Sequence, residues 1–121
     1  AKSVGESVCA SVVKTADRVD AQCIVTVTER GYSARMTSRH RSQKPIIAVT
    51  PNESTFNKVN LFFGCYPVMI NRFKTFEEAL ANLKPLLIKE KIVKKGDKVV
   101  IVSGVPFGKV TEANIMMVET L

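Results

Sequence analysis

Lys44-Pro45-Ile46-Ile47-Ala48-Val49-Thr50-Pro51-Asn52-Glu53 is the stretch that decides the fold class. Ile46 to Val49 is apolar without polar alternation, the pattern of a strand buried on both faces. The next four residues read as a helix start, with Thr50 at the cap, Pro51 at the first helical position and Glu53 at the third. A buried strand feeding straight into a helix is the repeating unit of a parallel α/β sheet.

The same alternation extends in both directions. Ser3 and Glu6 form a capping-box signature, and Val4, Val8, Val12, Ala16 and Val19 recur at helical spacing, so a helix is expected over about 3–19. Cys23-Ile24-Val25-Thr26-Val27 reads as a second buried strand; Gly31 breaks it, and Ser33 to Arg39 reads as a short helix. The helix opened by Thr50 should run to about Val59, and Gly64 precedes a strand from Cys65 to Ile70. Pro67 lies inside that strand and cannot donate to a ladder, which places it at a sheet edge. Thr75-Phe76-Glu77-Glu78 is another capping box, opening a helix to about Lys91 in which Pro85 is a candidate kink. After the turn Lys95-Gly96-Asp97 come a buried strand, Val99 to Val102, and a last strand, Ile115 to Val118. The ten residues 104–113 are too few and too broken for a helical crossover, so the last strand should return antiparallel. Helix-linked strands are parallel with right-handed connections. With the third strand at an edge, the expected order is 3-2-1-4-5, an α/β fold with a mixed five-stranded sheet.

Composition agrees with one domain over residues 1–121. The chain is 45% hydrophobic with 5 Pro and 6 Gly, enough to bury a core and too little punctuation for disorder. It is too short for a barrel enzyme of roughly 250 residues. Eighteen Lys and Arg against 11 Asp and Glu give a net charge of +7, which favours anionic partners. Trp is absent and aromatics make up 7%, a poor supply for a base-stacking surface, so no nucleic-acid partner is expected. No apolar run approaches the ~18 residues of a membrane span, nor do the first residues read as a signal peptide; a cytoplasmic protein without a membrane partner is expected. Cys9, Cys23 and Cys65 are odd in number and far apart, which reads as buried thiols in a reducing compartment rather than a disulfide framework or zinc site. The sequence opens on Ala1-Lys2, which fits either removal of an initiator Met or a piece of a longer chain.

The strand order puts a topological switch between the first and fourth strands, where open α/β sheets bind ligands at the strands' carboxyl ends. Two loops meet there. Thr28-Glu29-Arg30-Gly31-Tyr32-Ser33 joins a strand to a helix start. Backbone N–H groups, the helix end and the Thr28 and Ser33 hydroxyls can hold a phosphate; Gly31 permits close approach and Arg30 adds a two-pronged donor. The plain alternative is an ordinary turn with Ser33 as a cap, since neither GxxxxGK[ST] nor GxGxxG is present. The second loop, Ser103 to Ala113, carries Gly104, Pro106, Gly108 and Lys109 and is long enough to close over a ligand; its plain alternative is a slack hairpin.

Elsewhere the bland readings prevail. Arg30, Arg35, Arg39, Arg41 and Lys44, and the lysines from Lys84 to Lys98, read as solvated faces. His40 reads as a surface histidine, and Met116-Met117 as core plus interface. No carboxylate pair, metal cluster or nucleophile-base pair is visible by spacing.

The succession of blocks nevertheless resembles the C-terminal domain of pyruvate kinase. The resemblance is carried by Cys23-Ile-Val-Thr-Val-Thr-Glu-Arg-Gly-Tyr-Ser-Ala-Arg, Lys44-Pro-Ile-Ile-Ala-Val-Thr-Pro-Asn-Glu, Leu61-Phe-Phe-Gly-Cys-Tyr-Pro-Val, Val93-Lys-Lys-Gly-Asp-Lys-Val-Val-Ile-Val-Ser-Gly-Val-Pro and Asn114-Ile-Met-Met-Val. It implies a three-layer α/β/α sandwich. It also implies an enzyme moving the phosphoryl group of phosphoenolpyruvate to ADP with Mg²⁺ and K⁺. The catalytic barrel belongs to other domains, so no catalytic residue, metal or cofactor is expected here. The resemblance further implies that the Thr28–Ser33 loop (Thr28, Arg30, Gly31, Tyr32, Ser33) binds the phosphate of an activating sugar phosphate or nucleotide. The second loop (Ser103, Gly104, Gly108, Lys109) would close over the rest, and the first helix would join a tetramer interface. Many family members read Ser-Gly-Arg where this chain has Arg30-Gly31-Tyr32, and Glu29 adds a negative charge.

Three functions are therefore expected as alternatives: the effector-binding and assembly part of a pyruvate kinase, partnered by its barrel; a stand-alone anion or nucleotide sensor of the same fold; and a basic nucleic-acid binder. The first expects a reading frame extending upstream of Ala1, the second a start codon just before it, the third steep salt dependence.

Overall fold

The computed structural model describes residues 3–121. Among these residues four helices and five strands follow one another, alternating until the final strand pair: α1 (Val4–Arg18), β1 (Cys23–Val27), α2 (Tyr32–Arg39), β2 (Ile46–Thr50), α3 (Glu53–Val59), β3 (Cys65–Met69), α4 (Phe76–Lys89), β4 (Lys98–Ser103) and β5 (Ile115–Thr120). The sheet order is β3-β2-β1-β4-β5, parallel throughout except for β4 against β5. This is the order expected from the sequence.

Strand alternation divides the core into two sides. Ile24, Ile46, Ala48, Val100 and Val102 face α1, α2 and α3, meeting Cys9, Val12, Ala16, Ala34 and Val59. Cys23, Val25, Val27, Ile47, Val49, Val99 and Ile101 face the other way, onto Leu83 and Leu87 of α4. β1 and β2 are buried at every residue, which is why they read as runs without polar alternation.

Pro67 sits where the sequence requires. β3 pairs only with β2, and Ile70 N–H donates to Thr50 O at 3.1 Å. With side alternation along the strand, the nitrogen of Pro67, three residues earlier, faces the open edge and leaves no ladder bond unmade. Pro85 lies within α4, which runs unbroken from Phe76 to Lys89.

Two helix starts differ from the sequence reading. α3 is capped by Asn52, whose Oδ1 accepts from Ser54 N at 3.0 Å and Thr55 N at 3.3 Å. Thr50 instead completes β2, and its hydroxyl accepts from Asn52 N at 3.1 Å, turning the chain out of the sheet. Asn caps at least as well as Thr, and the longer strand keeps the Ile70–Thr50 bond. α2 begins at Tyr32 with Gly31 as its cap residue, so Ser33 lies inside the first turn.

All three thiols are buried. Desolvation raises the pKa of each: Cys9 upward, Cys23 to about 12 with help from Asp97, and Cys65 to about 11. No helix among the described residues is long and apolar enough to cross a membrane.

Candidate functional site

The site grows out of the end of β1. Thr28 N–H donates to Val49 O at 2.9 Å, holding the chain in the sheet one residue beyond the strand. The Thr28 hydroxyl then accepts from Gly31 N at 2.7 Å and closes the turn. Gly31 has φ 90°, a left-handed conformation that costs a residue with a Cβ about 1–2 kcal/mol. As a cap residue, Gly31 offers no side-chain acceptor to the first N–H groups of α2, and no acidic residue stands in that helix's first turn. The positive end of the α2 dipole is therefore unneutralised by its own helix.

Ser33 reinforces that polarity. The residue is 3% exposed, its carbonyl accepts from Thr37 Oγ1 at 2.7 Å, and its hydroxyl has no hydrogen bond among the described residues. Glu29 is held twice: its carbonyl accepts from Thr55 Oγ1 at 2.6 Å, and its carboxylate Oε2 accepts from Arg72 Nη1 at 2.8 Å. The bond to Glu29 raises the Arg72 pKa further, keeping it charged.

The second loop leaves β4 at Ser103, whose buried hydroxyl lies 3.1 Å from Val27 O and locks β4 to β1 at the cleft floor. The Asn114 side-chain amide bonds both the N–H and the C=O of Val105, each at 2.9 Å, and pins the base of the loop. The Val105–Pro106 peptide bond is cis. Phe107 packs on Phe73 with ring centroids 4.5 Å apart, on the α4 side. Glu112 accepts from Gly5 N at 2.7 Å, on the α1 side. The loop thus spans the carboxyl end of the sheet and is fixed to elements of both helical layers.

Between the loops lies a cleft of about 420 Å³. Of the residues expected at the site, Thr28, Arg30, Ser33, Gly104 and Gly108 line it. Gly31 and Ser103 are buried in its frame. Tyr32 and Lys109 are exposed and lie outside the lining; Tyr32 instead borders a shallow depression with Arg35, Met36 and Arg39. Sequence reasoning missed Asn52 and Arg72 as lining residues, and did not single out Val27, or Phe107, Val110 and Thr111 within the Ser103–Ala113 loop. Asn52 and Arg72 come after the carboxyl ends of β2 and β3, so the rule that pointed to the loops after β1 and β4 also covers these two connections.

The cleft offers an open helix end, hydroxyl donors and two guanidinium groups, with one carboxylate among them. That set suits an anion carrying hydroxyl groups.

Comparison with known proteins agrees with this architecture. The family model described as pyruvate kinase, alpha/beta domain matches residues 6–119. A pyruvate kinase of Lactobacillus delbrueckii subsp. bulgaricus is 32% identical over 119 residues, covering 98% of this chain and 20% of that protein. One from Staphylococcus saprophyticus is 36% identical over 114 residues, 94% of this chain and 20% of its own length. One from Clostridium acetobutylicum is 28% identical over 120 residues, 99% of this chain and 25% of its own length. The chain therefore spans a fifth to a quarter of the length of these curated relatives. With a family model matched nearly end to end and the expected sheet order in place, this chain belongs to the pyruvate kinase alpha/beta domain family.

Proposed function

We propose that the cleft binds the phosphate of a small phosphorylated effector, and that the chain serves as the regulatory and assembly part of a cytoplasmic pyruvate kinase. The observation that carries this reading is the α2 N-terminus, uncapped by any side chain, with the unpartnered hydroxyl of the largely buried Ser33 and Arg30 on the same cleft. A phosphate there accepts from backbone N–H groups, from a hydroxyl and from a guanidinium together.

Catalysis is assigned to another part of the enzyme. Phosphoryl transfer from phosphoenolpyruvate to ADP depends on metal-assisted charge neutralisation. The Mg²⁺ and K⁺ of the whole enzyme go with the catalysis in this reading. The barrel and the other copies of a homotetramer are the partners this reading requires, with α1 contributing to the contact between copies.

The test is calorimetric titration of inorganic phosphate and sugar phosphates into the chain. A charged hydrogen bond contributes about 1.5–3 kcal/mol, so Ser33→Ala and Arg30→Ala should each weaken binding by roughly tenfold or more. Binding unchanged by both substitutions would refute the site.

A further inference from the structure

The cleft contains a charge that a phosphate site should avoid. Glu29 lines it together with Arg30 and Arg72, and among the described residues these three are its only charged lining, for a net charge of +1. Resting on the phosphate reading above, we infer that the Glu29–Arg72 pair makes the cleft select ligands with one phosphate and free hydroxyl groups over bisphosphates.

The supply of positive potential suits one phosphate. One helix end at the cleft is open, that of α2. The neighbouring α3 has its first N–H groups occupied by Asn52 Oδ1, and Glu53 stands in its first turn. A phosphate monoester carries about −1.5 to −2 charge at neutral pH, and a second doubles it. Arg30 and the α2 end are available to the first, whereas Arg72 is already engaged by Glu29 at 2.8 Å. Lys58 and Lys109 are exposed and lie outside the lining.

The Thr55 bond to its carbonyl holds the Glu29 backbone at the cleft, and swinging the carboxylate away from a second phosphate breaks its bond to Arg72. An ionised carboxylate only accepts hydrogen bonds: it repels a phosphate and accepts from a ligand hydroxyl. Thr28, Asn52 and Thr111 complete a neutral, hydrogen-bonding stretch of lining that suits a hydroxylated ring.

The experiment uses a matched pair, glucose 6-phosphate and glucose 1,6-bisphosphate, titrated with inorganic phosphate as the ring-free probe. Wild type should bind the monophosphate about tenfold more tightly than the bisphosphate at constant salt, and Glu29→Gln should abolish or reverse that ratio. Circular dichroism confirms that the isosteric variant is folded. Equal or tighter bisphosphate binding by wild type, or an unchanged ratio in Glu29→Gln, overturns the selectivity. Binding of inorganic phosphate without either sugar phosphate overturns the hydroxyl part. Failure of all three ligands, or binding indifferent to both Ser33→Ala and Arg30→Ala, overturns the phosphate site itself and the selectivity with it.

Discussion

Gly5 N–H donates to the Glu112 carboxylate at 2.7 Å across 107 residues of sequence. The bond joins the first turn of α1 to the loop bordering the cleft. A carboxylate at a helix N-terminus satisfies an orphan donor and complements the dipole. The approach is close: a Cβ at Gly5 would overlap the Glu112 side chain, with Oε1 at 2.6 Å. Phe107 on Phe73 supplies the matching anchor on the other layer, so the loop's position depends on both.

Glu112→Gln should therefore loosen the loop and lower the thermal midpoint. Hydrogen bonds to the Ser3 side chain and Gly5 N–H hold the Glu112 pKa below its ordinary 4.5. A depressed carboxylate pKa stabilises the fold above the unfolded value, and that contribution disappears as pH falls through the folded value. The gap in midpoint between wild type and Glu112→Gln should be full near neutrality and shrink below pH 4.5 in thermal melts. A gap independent of pH would show that the charge is irrelevant.

Two glycines of the site should fail differently when changed to alanine. Gly31 has room, since the nearest atom to an added Cβ is Thr55 Cγ2 at 3.5 Å, but its φ of 90° is strained for alanine by about 1–2 kcal/mol. Gly31→Ala should lower stability by that amount in urea melts and tilt the α2 amides. At Gly104 an added Cβ would run into the Val110 carbonyl and reach 2.7 Å from Glu112 O. Gly104→Ala should displace the loop, weakening sugar phosphate binding more than inorganic phosphate binding. Equal losses for both ligands would contradict the division of labour between the loops.

Thiol chemistry should report burial. With Cys23 at about 12 and Cys65 at about 11, the folded chain holds almost no thiolate near pH 8. Iodoacetamide should label the native chain far more slowly than the urea-unfolded one. Unfolded thiols ionise from their ordinary value of 9.0 upward while the folded ones remain protonated. Stability should thus decline above about pH 9. Rapid native labelling would contradict the burial.

The sheet was legible in the sequence because Ile46–Val49 and Val99–Val102 admit no half-exposed reading, and Pro67 admits no central one. The helix starts were harder. Thr50-Pro51-Asn52-Glu53 contains two capping residues two positions apart, and the choice between them depends on how far β2 pairs with β3, a tertiary matter. The Thr28–Ser33 and Ser103–Ala113 loops were legible as neighbours from strand order alone. Arg72 was not, because its pairing with Glu29 joins residues 43 apart and depends on the depth of the turn after β3. Tyr32 read as part of the site from its place in the loop, but exposure at the first helical position leaves it outside the cleft lining.

The most direct test of the central claim is a titration of inorganic phosphate into the isotope-labelled chain, monitored residue by residue through its backbone amide resonances. Saturable shifts should concentrate at Gly31, Tyr32, Ser33 and Ala34, with smaller ones at Gly104 and Gly108, and Ser33→Ala should weaken them by roughly tenfold. Shifts centred instead on the exposed lysines at 94 and 95, or no saturable shift at the α2 start, would contradict a phosphate site at this helix.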